Sequence, residues 1–119
     1  MKSVLGKWGE ELAAAYLRRK RYHLIAANYR SRFGEIDLIA QKAKYIVFVE
    51  VKLRKNDAYG RACEFVTVAN QKKIITTAQL WLAQNPSKLQ PRFDVIEIYA
   101  PNGVDETYTL EHIKNAFQS

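Results

Sequence analysis

The stretch GEIDLIAQKAKYIVFVEVKLRK, Gly34 to Lys55, sets two carboxylates and an amine among apolar residues with strand-like alternation. With a turn centred between Ala43 and Lys44, residues 35–41 and 46–54 form a hairpin. Ile36, Leu38 and Ala40 then oppose Val51, Val49 and Val47, an apolar face that must be core. The other face pairs Ile39 with Phe48, Asp37 with Glu50, and Glu35 with Lys52. Opposed Cβ atoms lie ~4.5–5.5 Å apart, where like charges destabilise a sheet. Two arrangements compensate Asp37 and Glu50. One is a divalent cation of the Mg²⁺ type, which binds through one or two carboxylates and keeps several waters. The other is a half-exposed face with a salt bridge from Lys52, one pleat from Glu50 and roughly 6.6 Å along the strand.

The elements around the hairpin must position these groups. From about Ser3 to Arg21, Leu5, Trp8, Leu12, Ala13, Tyr16 and Leu17 recur at helical spacing. Glu10 lies at the edge of that stripe and offers a third carboxylate, while Glu11 points further toward water. The run ends in RRKR, Arg18 to Arg21, whose cations suit either the helix dipole or a phosphate. YHLIAANYR reads as a strand or extended segment, and Gly34 as a turn residue. KNDAYGRACEF, with Gly60, reads as a polar loop. A second helix follows, with Thr67 as N-cap, Pro86 as stop, and Ile74, Ile75, Ala78, Trp81 and Leu82 as its buried stripe. Gln71 falls within the stripe, facing either the charged end of the hairpin or solvent; Lys72 flanks the stripe and Lys73 points away. Residues 93–100 read as a strand closed by the turn at 101–103, with another short strand near TYTL. The tail EHIKNAF places Ile113, Ala116 and Phe117 on one helical face. The order predicts an α/β fold with a central mixed sheet flanked by helices, in one domain over residues 1–119.

Lys and Arg outnumber Asp and Glu by 19 to 12, a net charge of +7, which suits a polyanionic partner such as nucleic acid or a solvated basic surface. Cys63 is the only cysteine, which excludes a disulfide framework and a thiolate zinc site and reads as a core or boundary residue. His23 and His112 have no partner at metal spacing and read as surface or boundary residues. No run approaches the ~18 apolar residues of a membrane span, and charge enters the N-terminus too early for a signal peptide, so a cytoplasmic protein without a membrane partner is expected.

GEIDLIA…VFVEVKLR resembles the D-x(n)-E-x-K core of the PD-(D/E)XK nuclease superfamily, with Ile36-Asp37 in place of Pro-Asp and Glu50-Val51-Lys52 as the E-x-K. More closely, residues 6 to 117 resemble the YraN family of small bacterial proteins. The shared pattern comprises Gly9, Glu10 and Ala13, Asn28 and Arg30, GEID at 34–37, FVEVK-x-R at 48–54, Gly60, and RFD at 92–94. Arg21 stands where that family commonly has Gly, and Asn70 where it often has Lys.

The resemblance implies a restriction-endonuclease-like αβββαβ core, similar to that of Holliday junction resolvases. It also implies metal-dependent hydrolysis of phosphodiester bonds in DNA, including structured or branched DNA. On that reading Asp37 and Glu50 hold Mg²⁺ or Mn²⁺ with help from Glu10, Lys52 orients water or stabilises charge on phosphate, and Gln71 supports Lys52 or substrate. Arg30, Arg54, Lys72 and Arg92 become candidate phosphate contacts, Arg54 because it shares the strand phase of Lys52. Cutting two symmetric strands would call for a homodimer. The alternative is a nucleic-acid-binding module of the same fold without turnover.

Overall fold

Hydrophobic alternation and helical periodicity resolve, in the computed structural model, into α1 (Val4–Arg19), β1 (His23–Ser31), β2 (Gly34–Lys42), β3 (Tyr45–Arg54), α2 (Val68–Gln84), β4 (Gln90–Tyr99) and β5 (Thr109–Phe117). The structure describes residues 2–55 and 66–119; the readings of Gly60, Cys63 and the surrounding loop lie outside the described residues. The five strands form one sheet in the order β1-β2-β3-β4-β5, antiparallel except for the β3–β4 pair, which α2 connects. The expected αβββαβ order is present, and β5 extends it.

The sheet has a helix on each face. On one side Ala13 and Leu17 of α1 pack on Leu38, Ala40, Val47, Val49, Ile96 and Ile98; on the other, Ile74, Ala78 and Trp81 of α2 pack on Ile36, Ile39, Ile46, Phe48, Phe93 and Val95. Covered on both faces, β3 carries the continuous buried run Ile46 to Val49. Among the described residues no helix is long and apolar enough to cross a membrane.

Both helices start on side-chain caps. Ser3 Oγ accepts from Gly6 N–H at 3.0 Å, and Thr67 Oγ1 accepts from Asn70 N–H at 3.1 Å. Helix α2 ends at Gln84 with Asn85 as its C-cap, just before Pro86. Helix α1 closes with paired reverse bonds, Tyr22 N–H to Leu17 O and Arg21 N–H to Arg18 O, both 2.9 Å, while Tyr22 and Leu17 meet in the core. That closure puts Arg21 in the left-handed region, at φ 67°. For an L residue this conformation costs roughly 1–2 kcal/mol. Arg21→Gly removes that cost but makes the unfolded chain more flexible by about 0.4–1 kcal/mol. The net expectation is a stabilisation of roughly 0.5–1 kcal/mol, read from urea melts.

Three expectations change. The tail is strand β5 rather than a helix. Its apolar residues Ile113 and Ala116 sit three apart because the β4–β5 register shifts at Phe93/Val95, and Asn115 in this part of β5 adopts φ 53°. An irregular strand can thus mimic helical spacing. Ile36 also leaves the face predicted for it with Leu38 and Ala40, which packs on α1, and joins Ile39 on the α2 side. In the neighbouring strand, Ala26 and Tyr29 make the same three-residue step, with Asn28 at φ 54° between them. Gly34 serves close packing rather than a left-handed turn: a Cβ there would stand 3.2 Å from Thr77 Oγ1 and 3.3 Å from Lys73 Cβ of α2.

Candidate functional site

The hairpin register holds from Lys42↔Tyr45 to Leu38↔Val49, as the turn centred between Ala43 and Lys44 requires. Beyond Leu38 the predicted direct pairing of Asp37 with Glu50 and of Glu35 with Lys52 gives way to side-chain bonding. Asp37 Oδ2 accepts from Val51 N–H at 2.8 Å, taking the place of a ladder carbonyl, and Asp37 and Glu50 share a hydrogen bond. Two carboxylates thereby meet where the strands part.

Helix α1 brings further charges to this point. Gly9 lets the helix lie close to the sheet, since a Cβ would stand 3.3 Å from Leu53 Cδ1, and the next residue, Glu10, is buried toward the strands. Lys2, just ahead of the Ser3 cap, places its ammonium 2.7 Å from Glu10 Oε2, 2.9 Å from Asp37 Oδ1 and 3.1 Å from Glu35 Oε1. Lys52, Asn70 and Lys73 join Glu35, Asp37 and Glu50 around a cavity of about 280 Å³ that reaches α2.

Burial and pairing divide the charges. Burial works against the Lys2 ammonium, but its bonds to Glu10, Asp37 and Glu35 outweigh that and raise its pKa. Burial raises Glu10, with Lys2 and Asn28 bonding in opposition. Burial also opposes charge on Asp37, yet bonds from Glu50, Lys2 and Val51 N–H keep it ionised below the usual range. Glu50, desolvated and bonded to Asp37, is pushed up to about 9 and holds the proton that the pair shares.

A carboxyl with a raised folded-state pKa binds its proton more tightly folded than unfolded. Its contribution is full below the unfolded value near 4.5 and declines as pH rises toward about 9. Glu50→Gln, which keeps the neutral form, should therefore be more stable than wild type at pH 7.5 in chelator, and the gap should close near pH 4. Thermal melts at the two pH values check this.

The other candidates fall in different places. Arg30 is largely exposed, with Nε 3.7 Å from Glu35. Lys72 and Lys73 are both exposed on α2, Lys73 away from the buried stripe as expected and, with Asn70, at the lining of the cavity. The Gln71 amide donates to Val66 O at 2.9 Å, so it ties down the start of α2 rather than reaching Lys52. Arg54 is drawn into an ion pair with buried Glu97, and Arg92 forks onto Asp94 with bonds of 2.8 and 2.7 Å. Their placement does not support the phosphate contacts expected of them, because each guanidinium has a buried carboxylate partner on β4.

Asp94 anchors a second polar network, absent from the sequence reading. Besides Arg92 it receives His112 Nε2 at 2.7 Å and Asn115 N–H at 3.0 Å; His112 Nδ1 meets Tyr16 OH at 3.0 Å, and Arg92 donates to Tyr22 OH at 2.9 Å. His112 is thus an interior residue, its side chain 4% exposed, bridging β5 to α1. RFD supplied half of this signal; a partner eighteen positions away supplied the rest. Lys2 was also missed, since a lysine near the N-terminus carries no local cue.

The donor set around Lys2 is all oxygen, which suits a hard cation such as Mg²⁺ or Mn²⁺. Three carboxylates already converge on one positive charge. Among the described residues no three of them are drawn together tightly enough to hold a metal ion as they stand. Mg²⁺–oxygen distances of about 2.0–2.1 Å would require Lys2 to withdraw and the carboxylates to close in.

A mixed five-stranded sheet between two helices, with carboxylates and lysines gathered where β2 leaves β3, defines a small α/β protein with an acidic interior site. The chain belongs to the Uncharacterised protein family UPF0102, the YraN family, whose model matches residues 9–98. A UPF0102 protein of Vibrio parahaemolyticus is 49% identical over 117 residues, spanning 97% of this chain and 93% of its own. Another, from Acinetobacter baumannii (strain AYE), is 43% identical over 124 residues, spanning 95% and 93%. A third, from Caldanaerobacter subterraneus, is 44% identical over 120 residues, spanning 98% and 96%.

Proposed function

We propose that this protein is a metal-dependent nuclease that hydrolyses phosphodiester bonds in DNA, with Asp37, Glu50, Glu10 and Lys52 as its working residues. The observation that carries the reading is the convergence of Glu10, Asp37 and Glu35 on a single cationic point, with Glu50 bonded to Asp37 and Lys52 on the same cavity wall. Asp37 and Glu50, assisted by Glu10, would hold Mg²⁺ or Mn²⁺, which when bound polarises a phosphate and lowers the pKa of a coordinated water. Asp37 is held in place by Val51 N–H and remains charged. Lys52 orients water or meets charge developing on phosphate. Lys73 and Arg30 stand near enough to position the backbone without reading sequence.

Lys2 and a divalent ion compete for the same oxygens. Lys2→Met should tighten Mn²⁺ binding roughly tenfold, a gain of about 1.4 kcal/mol, because it removes a like charge from the site. Isothermal titration calorimetry at pH 7.5 measures this directly; equal or weaker binding would mean the ammonium and the ion do not share a position.

The same ion pairs favour a second reading. Carboxylates already satisfied by Lys2 suit a nucleic-acid-binding module without turnover. A labelled panel of four-way junction, flap, duplex, single-stranded DNA and RNA, with Mg²⁺, Mn²⁺ or chelator, separates the two. Metal-dependent cutting by wild type that is lost in Glu50→Ala and Lys52→Ala supports the nuclease. Binding without cutting, equal in all three proteins, supports the module.

A further inference from the structure

A second and larger cavity, about 620 Å³, opens on the α1 side of the acidic site and shares Lys2 and Glu10 with it. Its volume lies in the ~300–1,000 Å³ range of pockets that enclose a small organic ligand. Ala14 of α1, Ala27 of β1 and Leu38 of β2 give it an apolar floor, and Lys7, Arg18 and Arg30 stand around it. The four cations Lys2, Lys7, Arg18 and Arg30 outnumber the two carboxylates Glu10 and Glu11, and Glu10 is already bonded by Lys2 and Asn28. Asn28, in the wall, adopts φ 54°, a left-handed conformation that Asn tolerates better than most residues. The mechanism at Asp37 uses neither this floor nor Lys7 and Arg18.

We propose that this groove takes a single strand of nucleic acid, with an unstacked base on Ala14, Ala27 and Leu38 and flanking phosphates on Lys7, Arg18 and Arg30. Two features select a single strand. The floor is apolar and of ligand size, so it offers most to a base face, and a duplex keeps its base faces stacked inside. The cations surround that floor, matching a flexible backbone that wraps its base rather than a flat duplex surface. The inference rests on the nuclease reading, because the shared wall at Lys2 and Glu10 leads the strand to the acidic site.

The test is fluorescence anisotropy with labelled dT12, rU12 and a hairpin duplex, in Ca²⁺ and in chelator, over a range of salt. Arg18→Glu should weaken dT12 binding about tenfold or more and lower the salt slope by about 0.7 for the contact removed, leaving the duplex nearly unchanged. Ala27→Leu, which crowds the floor without altering charge, should weaken dT12 severalfold at an unchanged salt slope. Comparable losses for rU12 extend the site to RNA, and losses confined to dT12 restrict it to DNA. Wild-type affinity in both variants, or equal losses on the duplex, overturns the groove. Cleavage of duplex with no binding of dT12 overturns the groove and leaves the nuclease standing, whereas no binding of any probe overturns both.

Discussion

Lys52→Met should retain divalent-ion binding and lose about 10²–10³ of the cleavage rate, the usual effect of removing one positioned donor to a developing negative charge. The side chain stands in the cavity with Asp37 and Glu50, and Met keeps its length and apolar stem. Asp37→Asn should behave differently. Its amide oxygen can still accept from Val51 N–H, so the splayed strands keep their join, but the charge that faces Lys2 is gone. Ion binding and cleavage should then fail together, with folding intact by circular dichroism. Calorimetry beside single-turnover cleavage separates the two variants. Normal cutting by either would remove its residue from the mechanism.

Asp94→Ala should cost about 3–5 kcal/mol of stability, the range for removing one partner of a buried ion pair. Asp94 is fully buried and receives two bonds from Arg92, one from His112 and one from Asn115 N–H, so its removal leaves all of these donors without their acceptor. Asp94→Asn keeps an acceptor and should cost less. Burial disfavours the charge on Asp94, but bonds from His112, Arg92 and Asn115 hold its pKa below the ordinary value. A lowered carboxylate pKa contributes its stability above the unfolded value near 3.8 and loses it as pH falls through the folded value. The wild type should therefore weaken below about pH 4 more steeply than Asp94→Asn, as urea melts at pH 3 and pH 7 would show.

The two networks divide the labour of β4 and the hairpin. Arg92 and Asp94 fasten β4 to β5 and, through Tyr16 and Tyr22, to α1 and the chain that follows it. That fastening steadies the helix that carries Glu10 to the acidic site. Activity losses in Asp94 variants should accordingly track unfolding, unlike those at Lys52.

Some of this protein was decided within short stretches of sequence. A turn centred between Ala43 and Lys44 set the hairpin register from Leu38 to Val49, because the turn fixes which residues stand opposite one another. Thr67 announced its helix because a cap bonds only three residues ahead. The same local logic put Asp37, Glu50 and Lys52 at one end of the hairpin. Tertiary structure decided what short spacing cannot express. It brought Lys2 across thirty-five positions to Asp37, tied His112 to Asp94, and turned Lys73 rather than Lys72 toward the cavity. It also made a strand of the tail, where a register shift set apolar residues three apart and imitated a helix. The reason is common to all four: periodicity reports which face of an element is apolar, but which charge meets which, and where a strand bulges, depends on neighbours supplied by distant parts of the chain.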